Sequence, residues 1–201
     1  MIHLITGGSA SDKSAYAEAQ AVAAGKTRYY SATMRPYGTE GEKRVAKHRA
    51  MRAGKGFFTI ECYTDLASVS LERAGDDPSG GELRSGGSAE DIDSENRVIL
   101  LECMSNLTAN ELFDVGGSEE EICRRIMTGI RHLQNLVKHL IIVTNEVFSD
   151  ELNYDPDTLS YIRLLARINR LLAEQAGRVT EVVYGIPVEW KGNPKTGAKT
   201  E

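Results

Sequence analysis

Three things are scarce in this 201-residue chain, and each scarcity removes a class of function. Cysteine is the first: Cys62, Cys103 and Cys123 are odd in number and widely spaced. No C-x-x-C pair and no Cys/His spacing frames a zinc ion, so neither a disulfide scaffold nor a zinc module is expected, and a reducing cytoplasm is the natural compartment. A basic surplus is the second. With 24 Lys and Arg against 29 Asp and Glu the net charge is -5, too negative for a general nucleic-acid binder that must neutralise phosphates. Long apolar runs are the third. The run HLIIV falls far short of the ~20 residues of a membrane helix, so neither a membrane span nor a secretory leader is expected.

What is present is ordinary for a globular domain, 41% hydrophobic and 26% charged, with enough length for one substantial core. Short β-rich apolar runs alternate with helical patterns, which predicts an α/β fold with a parallel sheet. Strands are expected at 2–6, 28–32, 57–61, 97–103, 139–144 and 178–184, and helices at 13–23, 39–51, 106–113, 119–138 and 157–175. The last helix carries Leu159, Ile162, Leu165, Ile168 and Leu172 on one stripe, the mark of a buried face. Residues 74–96, rich in Gly, Ser and acids, show no apolar period and read as a flexible acidic insertion. Residues 1–191 thus form one domain, followed by a frayed tail at 192–201.

The opening TGGSASDKS follows a strand and leads into a helix. Gly7, Gly8, Ser9, Ala10, Ser11, Asp12, Lys13 and Ser14 almost spell the phosphate-binding loop G-x-x-x-x-G-K-[ST], with Asp12 in place of the second glycine. Such a turn gathers backbone N–H groups on an anion at a helix N-terminus, where Lys13 would reach the β- and γ-phosphates and Ser14 would ligate Mg²⁺. Asp12 raises two questions. The position can demand a left-handed backbone, which aspartate tolerates better than most residues. A carboxylate ~5 Å from a phosphate charge would cost about 3 kcal/mol at an effective dielectric of ~20, and far less if it faced solvent. The plainer reading is a strand–helix turn with an incidental pair of glycines.

Further segments recur in a telling order: YYSAT, EKRVAKHRAMR, FFTIE, VILLECMSNLTANELF, LIIVTNEV and ARINRLLAE. Together with the loop, they make the chain resemble the bifunctional adenosylcobinamide kinase/adenosylcobinamide-phosphate guanylyltransferases of cobalamin biosynthesis, over nearly its whole length. The resemblance implies a P-loop, RecA-like α/β domain that assembles as a trimer. It also implies two reactions. A nucleoside triphosphate (ATP or GTP) phosphorylates adenosylcobinamide, and GMP then passes from GTP to that phosphate through a guanylylated histidine.

On that resemblance His48 of RVAKHR is the catalytic nucleophile, with Arg49, Ala50, Met51 and Arg52 after it contacting nucleotide. Chemically, an imidazole can attack an α-phosphorus and split a hard transfer into two displacements, with guanidinium groups stabilising the phosphate oxygens. The local alternative is a solvated basic helix face. Glu102 ends a strand where open α/β sheets bind ligands, and could hold Mg²⁺ with Ser14 or contact ribose. Glu61, and the turn Ala32, Thr33 and Met34 through its backbone and the Thr33 hydroxyl, map to nucleotide contacts of the family, with packing the plainer reading of Met34. Asn145 and Glu146 close another strand without an assignable role, while Arg167, Asn169, His3, His132 and His139 read as structural. Two other functions compete: a different small-metabolite P-loop kinase, and a nucleotide-binding protein whose loop has decayed at Asp12.

Overall fold

A computed structural model describes residues 1–36, 38–71, 96–147 and 154–192. Of the expected insertion, positions 74–95 lie outside the described residues, as does the expected tail from 193 onward. The side chains of Glu40, Arg44, Lys47, His48 and Met51 are also outside them, although their backbone is helical.

In chain order the strands are β1 (Ile2–Thr6), β2 (Thr27–Ala32), β3 (Phe57–Glu61), β4 (Arg97–Glu102), β5 (His139–Val143), β6 (Arg178–Val183) and β7 (Ile186–Lys191). The helices are α1 (Lys13–Ala24), α2 (Gly38–Arg52), α3 (Met104–Asn110), α4 (Glu119–Leu136) and α5 (Pro156–Gln175). One seven-stranded sheet runs in the order β3-β2-β4-β5-β1-β6-β7. All pairings are parallel except β6 with β7.

The sheet has a core on each face, which is why its central strands read as unbroken apolar runs. On β4, Ile99 and Leu101 pack toward α3, α4 and α5, while Val98 and Leu100 join Ala17 and Ala21 of α1 on the other side. Helix starts follow their capping chemistry. Ser118 and Glu121 form a reciprocal capping box on α4, ahead of three acids in its first turn. Asp155 accepts the N–H groups of Asp157 and Thr158, with Pro156 at the first helical position of α5.

Several ends shift by one or two residues, α4 stopping at Leu136 rather than 138 for example, and two expectations change further. The sixth strand ends at Val183 rather than 184, and a seventh, unexpected strand returns antiparallel beside it, with Val183 opposite Ile186. Tyr184 and Gly185 make the tight turn with φ of 50° and 79°, a backbone usually signalled by Asn-Gly or Asp-Gly rather than Tyr-Gly. Pro187 further masked the strand, because proline is tolerated only at sheet edges, where β7 lies. The third helix starts at Met104 and ends at Asn110, continuing as a π-helical turn over Glu111–Val115, where a helix over 106–113 was expected.

Candidate active site

The C-terminal ends of the parallel strands converge on one edge of the sheet, and there the loop after β1 wraps tightly. Gly7 adopts φ 154°, and a Cβ on it would stand 2.5 Å from the Val182 carbonyl oxygen, so only glycine fits beneath β6. Ala10 and Asp12 are both left-handed, at φ 56° and 65°. Asp12 therefore takes the backbone that the missing glycine would have supplied. Its carboxylate is exposed, and Oδ2 lies 3.8 Å from where a Cβ on Gly185 of the β6–β7 turn would stand. The Gly185 N–H donates to the Ser11 carbonyl at 3.1 Å, so the hairpin turn braces the Gly7–Ser14 loop.

Lys13 is 8% exposed and donates to the carbonyl of Gly8 at 2.9 Å. Burial pulls its pKa below the ordinary lysine value, opposed by Cys103 and Glu102. The Ser14 hydroxyl donates to Oε1 of Glu102, and the Tyr30 hydroxyl donates to Oε2 at 3.3 Å. Glu102 is thus the joint between the loop and a neighbouring cleft. That cleft opens between the ends of β2, β3 and β4 and one face of α2, which contributes Val45, Arg49 and Arg52.

The expected site residues divide in this frame. Ala32, Met34, Arg49, Arg52, Glu61 and Glu102 line the cleft together. At its mouth Arg49 pairs with Glu61 at 2.8 Å, and the Tyr63 hydroxyl donates to the same carboxylate at 3.0 Å. Thr33 is fully buried. Its hydroxyl donates to the Cys103 carbonyl at 2.8 Å and accepts the Cys103 N–H at 2.7 Å, so it ties β2 to the end of β4. Ala50 is exposed on α2, and His48 and Met51 are placed by their backbone alone. Asn145 donates to the Ser105 hydroxyl at 2.7 Å. Thr144 donates to Asn169, and Arg167 forms an ion pair with Glu120. His3 bonds Thr180, and His132 bonds the Val69 carbonyl, outside the cleft.

Sequence reasoning passed over Tyr30 and Tyr63, both cleft residues. For Tyr30 the period of two along a strand was the available signal, since it precedes Ala32 by two residues; Tyr63 lies beyond the end of β3 at Glu61.

The sequence pattern of the cobinamide kinase / cobinamide phosphate guanyltransferases matches residues 3–79 and 82–190. The chain belongs to this family. It is 29% identical over 202 residues to the bifunctional adenosylcobalamin biosynthesis protein CobU of Escherichia coli strain K12, covering 95% of this chain and all of that protein. The Salmonella typhimurium CobU is likewise 29% identical over 203 residues, at 95% of this chain and 100% of its own. The CobP protein of Pseudomonas aeruginosa is 28% identical over 199 residues, at 96% and 99% coverage. The single mostly parallel α/β domain with its phosphate loop is the architecture expected for the family, and the chain is a kinase and guanylyltransferase of adenosylcobalamin biosynthesis. No helix among the described residues is long and apolar enough to cross a membrane.

Proposed function

We propose that one nucleotide site, made of the loop Gly7–Ser14 and the cleft walled by Glu102, serves both reactions, and that His48 carries GMP between substrates. The single observation that supports this most directly is the Ser14–Glu102 hydrogen bond, which joins the phosphate loop to the cleft under α2. His48 follows Val45 by three residues and precedes Arg52 by four, the spacing of residues sharing a helix face, and both neighbours line the cleft.

In the transferase reaction a neutral His48 imidazole nitrogen attacks the α-phosphorus of GTP. The P–N bond forms as the bond to the bridging α–β oxygen breaks, and pyrophosphate leaves with that electron pair. An oxygen of adenosylcobinamide phosphate then attacks the same phosphorus, the P–N bond breaks, and the histidine is regenerated. In the kinase reaction Lys13 would leave the Gly8 carbonyl for the outer phosphates of ATP or GTP, holding the γ-phosphorus for the adenosylcobinamide hydroxyl. The outward-facing Asp12 carboxylate favours retention of this step, because the repulsion feared from sequence requires it to face the phosphates.

Among the described residues, no group of three or more His, Cys, Asp or Glu is arranged to hold a metal. The Ser14 hydroxyl and the Glu102 carboxylate nonetheless offer the hard oxygen donors that Mg²⁺ takes alongside substrate phosphates. Bound there, the ion would neutralise charge on the phosphate oxygens. Glu102 and Ser14 would orient the phosphate end, and Arg49 and Arg52 would offset charge nearer the α-phosphorus. We further propose a cytoplasmic homo-oligomer, a trimer by family, in keeping with an edge strand β7 exposed along its length, including Ile186 and Trp190.

Intact-mass analysis after incubation with GTP and Mg²⁺ tests the mechanism. The parent protein should gain one acid-labile guanylyl mass, and His48→Asn should gain none. An adduct that survives in the variant, or its absence from an active parent, would refute the covalent route.

A further inference from the structure

Tyr30 is 4% exposed, on the strand face that looks into the α1 side of the sheet, yet it reaches the cleft from below. Its two chemical parts serve two different neighbours. The ring face carries the Arg52 guanidinium, whose carbon is 3.4 Å from the ring centroid. The hydroxyl donates to Oε2 of Glu102, leaving Oε1 for Ser14. Arg52 is itself only 7% exposed, and its Nη1 has no hydrogen-bond partner among the described residues. Held on an aromatic face, this buried guanidinium keeps its Nη1 donor available for an anionic ligand.

We propose that Tyr30 is the positioning residue of the nucleotide site, fixing Arg52 through its ring and Glu102 through its hydroxyl. This rests on the nucleotide-site reading above and adds a residue to it. One rigid side chain then spaces a cation and an anion on the cleft floor. The cation faces the nucleotide, and the anion faces the first turn of α1.

Two halves of the tyrosine predict two separable losses. GTP binding is measured by calorimetry on the full chain, in the His48→Asn background so that no adduct forms, with EDTA and then with Mg²⁺. Tyr30→Leu and Arg52→Ala should each weaken GTP by about tenfold or more. The double variant should be no weaker than about threefold beyond the poorer single, because both remove one contact. Tyr30→Phe keeps the ring, so it should hold GTP normally in EDTA but need several-fold more Mg²⁺ for the same gain in affinity. Fold losses that multiply in the double variant, or wild-type affinity in Tyr30→Leu, would overturn the proposal.

Should Tyr30→Leu not fold, Arg52→Lys decides. An ammonium cannot lie flat on the ring, so it should lose as much as Arg52→Ala, and restoration to within about threefold of the parent would refute the stacking role. Failure of the parent itself to bind GTP would bring down the nucleotide-site reading and this one with it. A binding parent with an additive cycle would bring down this one alone.

Discussion

Ser14 and Glu102 lie 88 residues apart in the chain and share a hydrogen bond between the first turn of α1 and the last residue of β4. The parallel register makes the meeting possible, since β4 stands one strand away from β1 across β5, and their C-terminal ends lie on the same edge. Each carboxylate oxygen of Glu102 accepts from a different hydroxyl, one from Ser14 and one from Tyr30. A glutamine there offers one acceptor oxygen, so one hydroxyl loses its partner.

Glu102→Gln should therefore lower turnover by about 10–100-fold and raise the Mg²⁺ concentration for half-maximal rate, because the proposed metal site loses a carboxylate donor. Ser14→Ala should move the same two quantities in the same direction. The measurement is pyrophosphate release from GTP across a Mg²⁺ titration, beside a thermal melt to show that the fold persists. An unchanged metal dependence in both variants would remove Glu102 from the phosphate end of the site.

Asp12 invites a prediction of opposite character to the one its charge suggests. The residue is left-handed and exposed, and its carboxylate lies beside the β6–β7 turn. Asp12→Gly should leave GTP affinity within about fivefold, because at solvent dielectric a unit charge several ångströms away contributes under about 1 kcal/mol. Stability should stay level or rise by up to about 1 kcal/mol, since glycine adopts φ of 65° without strain. Calorimetry and urea unfolding read the two effects separately. A tenfold gain in affinity would mean that the carboxylate turns toward the phosphates when nucleotide binds.

These cases show what was legible in the chain. The strand–turn–helix over Gly7–Ser14, the strand ends at Glu61 and Glu102, and the left-handed backbone at Asp12 are local, so propensity and spacing reach them. Thr33 illustrates the limit. The family resemblance maps its turn to a nucleotide contact through backbone and hydroxyl, and the hydroxyl here also closes a buried double contact with Cys103, which is 70 residues away in the chain. Nothing local to YYSAT reveals that partner. Tyr30 shares the strand face of Ala32, but its two roles were hidden, because an aromatic in a strand reads as core until Arg52 and Glu102 are brought around it. The β6–β7 hairpin was lost to a tyrosine in a glycine-like conformation.

His3 supplies a pH dependence with a definite sign. Burial, with the nearby Arg178 cation, lowers its pKa from 6.5 to about 4, against a smaller opposing effect of Glu189. Between those values the unfolded chain binds a proton that the folded chain refuses, so acid favours unfolding. The full contribution is present above pH 6.5 and drains away as pH falls toward about 4, with a ceiling of about 3 kcal/mol. His3→Gln keeps a polar group for Thr180 but cannot titrate. Urea unfolding across this range should show a shallower acid slope for the variant than for the parent, and parallel slopes would assign the acid sensitivity to other groups.

Gly129 reverses a common rule about helices. It lies inside α4, where Gly→Ala ordinarily stabilises by about 1 kcal/mol through reduced chain entropy. Here a Cβ would stand 2.5 Å from the Leu66 Cβ and 3.2 Å from its Cα, so the helix meets the 3₁₀ turn Leu66–Ser68 at backbone range. Overpacking of this kind costs about 1–3 kcal/mol, which outweighs the entropy gain. Gly129→Ala should lower stability by about 1 kcal/mol or more in urea unfolding. Because the clash is with Leu66 Cβ and Cα, adding Leu66→Ala leaves both offending atoms in place and should deepen the loss rather than relieve it. Recovery of stability in that double variant would mean that the turn gives way through its side chain, and that α4 is held less closely to it than these contacts require.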